Sequence, residues 1–417
     1  MAAPRKSLRR ATLSGDANNV ADLRHTIRYE TRLRGWSPHT ATHSSAPASE
    51  PSPDDVASSV DTGVVTTAPS PRERIVGSLL AGAIGDALGA PIEFHSIDSI
   101  RAQFGLDGLT EYAPAYGRIG AITDDTQMTL FTAEGLLRAR ARAVDGGLVD
   151  HVEVMRLAYL RWLATQGQRV DDPMWGSEYL DSGWLVGVRE LHSQRAPGST
   201  CLGALISGGT GRPAHPTNTS KGCGGVMRMA PAGVLGADAF ALGADFAAIT
   251  HGHPSGFLAS GAFATMTAEL FTGRSLPGAI DGALAELQSA PESDETLRAL
   301  DAAVALASSG TPPTPEAVES LGGGWVAEEA LAIGVYCALV APDLRAGLLL
   351  AVNHSGDSDS TGAITGNLLG ALHGVGALPI DWLDALELAD VIELVGEDLA
   401  SAFVDDTPVD TGRYPPY

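Results

Sequence analysis

A chain of 417 residues, 44% of them hydrophobic, is long enough for one large core or two modest ones. Its net charge of −23 at pH 7 argues against nucleic acid or an anionic membrane surface as the main partner. Three widely spaced cysteines, Cys201, Cys223 and Cys337, make neither a disulfide framework nor a zinc pattern and fit a reducing, cytoplasmic setting.

Residues 1–72 read as a disordered extension. The first 34 hold eight Arg or Lys against three Asp or Glu, and residues 37–71 are dense in Ser, Pro, Thr and Ala. This end lacks the apolar core of a secretory signal, and Asp16, Asp22 and Glu30 speak against a transit peptide. From Arg72 the character changes. Ile75, Leu79, Leu80, Ala83, Ile84, Ala87 and Leu88 follow helical spacing, with Gly77, Gly82, Gly85 and Gly89 among them. Small residues at that density let helices approach closely. Comparable stretches recur at 126–143, 151–165, 239–249, 256–272, 278–289, 296–308, 326–340, 343–352, 361–375 and 384–402. None approaches the roughly 18–20 uninterrupted apolar residues of a membrane span, and convincing alternating strands are missing. Long loops fall at 107–121, 166–183, 195–224 and 309–324. The pattern predicts one all-α domain of ten or more helices over 73–405, a C-terminal tail at 406–417, and a site built from the loops.

Two acidic clusters stand far apart in this chain. One is Thr123-Asp124-Asp125-Thr126-Gln127, and the other runs from Asn353-His354-Ser355-Gly356 through Asp357-Ser358-Asp359-Ser360-Thr361-Gly362. Helix capping explains one oxygen-bearing residue in each: Asp124 in a capping box with Gln127, and Ser360 or Thr361 before the later helix. It does not explain Asp125 beside Asp124, or Asp359 so close to Asp357. Four like charges packed together call for a balancing cation, and carboxylates with hydroxyls suit hard divalent ions such as Mg²⁺ and Mn²⁺. Glu93 adds a fifth carboxylate, so two such ions come close to balance.

The stretch Ser220-Lys221-Gly222-Cys223-Gly224-Gly225-Val226-Met227-Arg228 is a second signal. Its glycines can expose amides that cradle phosphate oxygens, or they can simply make a flexible turn. Lys221, the only lysine after the extension, and Arg228 flank it and could neutralise a diphosphate. His251 and His253, two residues apart, either line a polar ligand or cap the following helix. Trp162, Trp175, Trp184 and Trp325 are expected to pack in the core.

In order along the chain, five blocks resemble the ADP-ribosylglycohydrolase family. They are Gly82-Ala83-Ile84-Gly85-Asp86-Ala87-Leu88-Gly89 through Glu93; Thr123-Asp124-Asp125-Thr126; Gly222 to Arg228; Thr250-His251; and Gly356-Asp357-Ser358-Asp359-Ser360-Thr361-Gly362-Ala363-Ile364. The resemblance spans about Arg72 to Leu399. It implies an all-α fold with a dinuclear Mg²⁺ or Mn²⁺ centre at the base of an ADP-ribose cleft. By position the metal ligands are Thr123, Asp124, Asp125, Asp357, Asp359 and Ser360. Glu93 is a ligand or an acid/base, and Asp124 or Asp125 activates water. The substrate-binding set is Lys221, Gly222, Gly224, Gly225, Met227, Arg228 and His251. Two positions depart from the usual pattern: Ser360 where Thr is common, and Cys223 where Asn often stands. The implied reaction is release of ADP-ribose from an acceptor side chain, with arginine expected. Serine and O-acetyl linkages, or a non-catalytic ADP-ribose binder, are the alternatives. No nucleic-acid or membrane partner is expected, and a monomer is favoured.

Overall fold

The helical body begins at Ser70. Its hydroxyl accepts from the Glu73 amide at 3.3 Å while the Glu73 carboxylate accepts from the Ser70 amide at 2.7 Å. Pro71 fills the first turn, where no amide proton is needed. The computed structural model describes residues 68–144, 146, 149–168, 180 and 182–416. Most of the extension expected at 1–72 therefore lies outside the described residues, as does Trp175.

Fifteen α-helices lie within the described residues, and no strand does. The first five are α1 (Pro71–Gly89), α2 (Ile97–Phe104), α3 (Asp124–Val144), α4 (His151–Thr165) and α5 (Ser199–Ile206). Then come α6 (Ala239–Ala248), α7 (Pro254–Phe271), α8 (Leu276–Ser289), α9 (Asp294–Ser308) and α10 (Pro315–Glu319). The last are α11 (Ala327–Val340), α12 (Leu344–Val352), α13 (Ser358–His373), α14 (Ile380–Ala385) and α15 (Ala389–Phe403).

Two of these, α1 and α13, form the axis of the domain and are buried along nearly their whole length. They run antiparallel, backbone against backbone. A Cβ on Gly85 would lie 2.0 Å from the Gly362 carbonyl oxygen, and one on Gly370 would lie 2.1 Å from that of Gly77. Ser78 and Asn367 exchange side-chain-to-carbonyl hydrogen bonds at 2.9 and 2.8 Å across the same seam. The glycine spacing noted in α1 is thus the complement of Gly362, Gly366 and Gly370 in α13. Its consequence is positional: the C-terminal end of α1, and Glu93 just beyond it, arrive at the N-terminal end of α13, where Asp357 and Asp359 lie.

Next to this axis, α3 is held against α4. Gln127 Oε1 accepts from Trp162 Nε1 at 3.2 Å and from Gln166 Nε2 at 3.0 Å. Deeper in the same interface, Glu134 accepts from Arg138 at 3.1 Å and Arg161 at 2.9 Å, all three fully buried.

Several expectations need correction. Gln127 is taken up by α4 and makes no capping box; the Thr123 hydroxyl instead accepts from the Asp125 amide at 3.3 Å. Asp357, not Ser360 or Thr361, caps α13 through the Ser360 amide. The stretch at 384–402 is broken by Leu388, whose φ of 58° separates α14 from α15. The C-terminal tail docks on the body: Tyr414 is fully buried and donates to Asp398 at 2.8 Å. Trp162 is in the core as expected, whereas Trp325 is 44% exposed and stacks on Phe94 with centroids 5.7 Å apart.

Candidate active site

Each acidic cluster sits at a helix N-terminus, and a separate device fixes each. For α3 the device is Asp86, a fully buried carboxylate in the last turn of α1. It accepts from the Thr123 amide at 3.0 Å and the Thr126 amide at 3.1 Å, and also from the Thr126 hydroxyl. The Asp124 amide reaches the Arg195 carbonyl at 3.1 Å, and Asp124 Oδ2 accepts from the Gly198 amide at 3.2 Å. For α13 the device is a glycine bend at 322–324, where the Asp357 amide donates to the Gly323 carbonyl at 2.9 Å. Asn353 secures the flank by accepting from Leu109 N at 2.7 Å and donating back to Leu109 O at 2.8 Å.

These devices bring Asp124, Asp125, Asp357, Asp359 and Glu93 into one buried region, each at most 8% exposed. Burial pushes Asp124, Asp125 and Asp359 well above the usual carboxylate range, and the neighbouring acids add to the effect. Glu93 is raised to about 8 by burial first, then by Asp357 and Asp124. Asp86 rises to about 6, again through burial, with its Thr123 and Thr126 hydrogen bonds opposing.

Two oxygens in the cluster, Glu93 Oε2 and Asp125 Oδ1, are buried without a hydrogen-bond partner. Buried acceptors left open beside other carboxylates suit a cation. The donor set fits hard divalent ions, being carboxylates with the hydroxyls of Thr123 and Ser360. The carboxylates do not converge on one point, however. Among the described residues no three His, Cys, Asp or Glu side chains are gathered closely enough to enclose an ion.

Among the substrate residues expected in the glycine loop, several have other work. Arg228 is fully buried, donates to the Gly224 carbonyl at 2.5 Å and to Thr250 Oγ1 at 2.7 Å, and lies over the Tyr159 ring at 4.3 Å. It shapes the loop from within. Lys221 donates to Glu295 at 2.6 Å and to Glu328, so its charge is already matched. Met227 is buried with its sulfur 3.7 Å from Ser360 Oγ.

The loop is held by an isolated antiparallel bridge between Gly222 and Val326 and by the Cys223 amide donating to Trp325 O at 3.1 Å. The amides of Gly222, Val226 and Met227 are likewise used, at 3.3, 2.9 and 3.1 Å. A phosphate cradle therefore narrows to the amides of Gly224 and Gly225. A Cβ on Gly224 would sit 3.1 Å from His251 Cε1, so the loop wraps the imidazole. His251 itself is buried and shares a 2.8 Å hydrogen bond with Thr250 Oγ1. Burial and then Arg228 depress its pKa to about 3, which keeps it neutral. His253 caps α7 by accepting from the Ser255 amide at 3.1 Å, the plainer of its two readings. His354 is buried against Thr361 Oγ1 at 3.0 Å.

Sequence reasoning gave Asp86 no role. A carboxylate inside the apolar and small-residue run from Ile75 to Gly89 was the available signal, because burial there demands strong partners.

The comparisons with known proteins point one way. Residues 67–408 match the family model described as ADP-ribosylglycohydrolase. The chain is similar to ADP-ribosyl-[dinitrogen reductase] glycohydrolase of Rhodospirillum rubrum, 25% identical over 77% of this chain and 93% of that protein. It is also similar to ADP-ribosylarginine hydrolase Tri1 of Serratia proteamaculans, 25% identical over 78% of this chain and 79% of that one. A solved ADP-ribosylglycohydrolase-related protein complex superposes with a TM-score of 0.57 at 25% identity, covering 79% of this chain and 98% of that one. With its buried acid cluster and this match over most of its length, the chain belongs to the ADP-ribosylglycohydrolase family and is a hydrolase acting on ADP-ribosylated acceptors.

Proposed function

We propose that this enzyme releases ADP-ribose from arginine side chains, using two divalent cations, Mg²⁺ or Mn²⁺, held by Thr123, Asp124, Asp125, Asp357, Asp359 and Ser360. The observation that carries the reading is the gathering of five buried carboxylates, two with open oxygens, from three separate segments. The arginine linkage is supported by the similarity to the Serratia arginine hydrolase.

Bound cations supply positive charge and Lewis acidity at the ribose. The remaining work belongs to the chain. Asp124 or Asp125 takes a proton from the attacking water as its oxygen bonds to the anomeric carbon. The carbon–nitrogen bond breaks, and the departing guanidine nitrogen takes a proton from Glu93. Gly224 and Gly225 amides receive a phosphate oxygen, and neutral His251 supports the loop that presents them.

The test presents arginine-, serine- and acetyl-linked ADP-ribose in parallel with Mg²⁺ or Mn²⁺ added, and measures free ADP-ribose. Release from the arginine linkage at least tenfold faster than from the others is expected. Faster release from an oxygen linkage would move the acceptor, and no release from any of the three would leave a non-catalytic binder.

A further inference from the structure

We propose that Phe94 and Trp325 form the acceptor subsite, an aromatic platform on which the guanidinium of an ADP-ribosylated arginine lies while its bond to the ribose is cut. This rests on the arginine reading above and deepens it by naming residues that select the acceptor. Three aromatic residues are exposed among those described: Phe94 at 72%, Tyr116 at 44% and Trp325 at 44%. Phe94 and Trp325 stack with centroids 5.7 Å apart and 17° between their planes, which joins them into one apolar surface open to solvent. Both are anchored at the acid cluster. Phe94 directly follows Glu93, a buried carboxylate close enough to Asp357 and Asp124 to feel their charge. The Trp325 indole packs on Gly323, where a Cβ would lie 3.0 Å from Cδ1, and the Gly323 carbonyl accepts from the Asp357 amide at 2.9 Å. A Cβ on the intervening Gly324 would be 3.4 Å from that of Asp357. Tyr116 also stands near Glu93, whose charge adds to the rise that burial gives its phenol.

The chemistry of the substrate decides what such a platform takes. In ADP-ribose a ribose, two phosphates and a second ribose separate the adenine from the anomeric carbon, whereas the acceptor is bonded to that carbon directly. A surface that begins one residue after Glu93, the group that hands a proton to the departing nitrogen, therefore lies on the acceptor's side of the bond. A guanidinium is flat, cationic and weakly hydrated, and it stacks on aromatic faces. The same contact recurs within this chain, where Arg228 lies over Tyr159 at 4.3 Å and Arg345 over Trp382 at 3.9 Å. A serine or acetyl acceptor carries no such charge and gains nothing comparable from the rings, so the platform favours arginine.

The experiment measures kcat and KM for ADP-ribosyl-arginine, with Mg²⁺ or Mn²⁺ added, on the full chain and on Phe94→Ala, Phe94→Tyr and Trp325→Leu, with thermal melts to establish folding. Calorimetry on the same proteins gives the affinity for free ADP-ribose, which carries the adenine and both phosphates but no acceptor. Phe94→Ala and Trp325→Leu are expected to raise KM about 3–10-fold, with kcat changed less and ADP-ribose affinity kept. Phe94→Tyr retains a ring and is expected to retain the wild-type KM. Should Trp325→Leu fail to fold, Phe94→Ala decides alone, because that side chain is mostly in solvent. An ADP-ribose affinity that falls in step with the rise in KM would move the platform to the adenine and overturn the proposal. An unchanged KM in Phe94→Ala would overturn it too, and would leave arginine hydrolysis standing. No release from ADP-ribosyl-arginine by the wild-type chain would remove the arginine reading itself, and the proposal with it.

Discussion

The residues that look alike on charge alone do different things here, and burial sorts them. Asp124 and Asp86 are both buried carboxylates, but Asp86 is saturated by Thr123 and Thr126 while Asp124 receives a single amide from Gly198. Asp124→Asn should keep the fold and lower turnover roughly 10²–10⁴-fold, measured as ADP-ribose release by protein with an unchanged melt. Near-normal turnover would take Asp124 out of the chemistry. Arg228 makes the opposite case. Removing it takes the guanidinium donor from the Gly224 carbonyl and from Thr250 Oγ1 in a dry interior, so Arg228→Met should cost about 2–4 kcal/mol in urea unfolding. A raised KM with undiminished stability would instead return Arg228 to the diphosphate. The acids were legible because they cluster in sequence. The commitments of Arg228 and Lys221 were not, because their partners Thr250, Glu295 and Glu328 are distant in the chain, and a cation in a glycine loop looks the same facing a ligand or a carbonyl.

At the level of elements, the seam between α1 and α13 decides whether the two halves of the site meet. A methyl group at Gly85 would be driven into the Gly362 backbone, which cannot yield as a side chain can. Gly85→Ala should therefore cost several kcal/mol, about 3 or more, despite its better helix propensity. Gly203→Ala in α5, where nothing lies within 4 Å, should be neutral or stabilise by up to about 1 kcal/mol. Parallel urea unfolding of both variants checks this, and equal effects would deny the seam its role. The long helices were readable from their apolar spacing, and α4 begins and ends as expected at 151 and 165. Helices α2, α5 and α10, with eight, eight and five residues, are too short for periodicity to stand out. The break at Leu388 carries no sequence signal, since leucine rarely adopts a left-handed backbone.

For the molecule as a whole, pH acts through groups buried in unwelcome charge states. His251 falls from an ordinary 6.5 to about 3 in the folded chain, so the unfolded state binds an extra proton between those values. Its contribution is present above 6.5 and is lost as pH falls toward 3, by up to about 1.4 kcal/mol per pH unit. Urea midpoints at pH 7 and pH 5 should show the fall, and His251→Gln should flatten it; an equal slope in both proteins would place the dependence elsewhere. The family's fold and the ordered acid blocks were visible in the sequence. The docking of Tyr414 and the exposure of Trp325 were not, because aromatic residues in tails and loops bury or stack only through tertiary partners. The central claim is that the two acidic clusters make one cation-dependent hydrolytic site. Its most direct measurement is ADP-ribose release from ADP-ribosyl-arginine by chelator-stripped protein, before and after Mg²⁺ or Mn²⁺ is restored, with Asp124→Asn and Asp357→Asn alongside. Release that stops on stripping, returns with the cation and fails in both variants is the expected result; full release by the stripped protein, or by both variants, would contradict it.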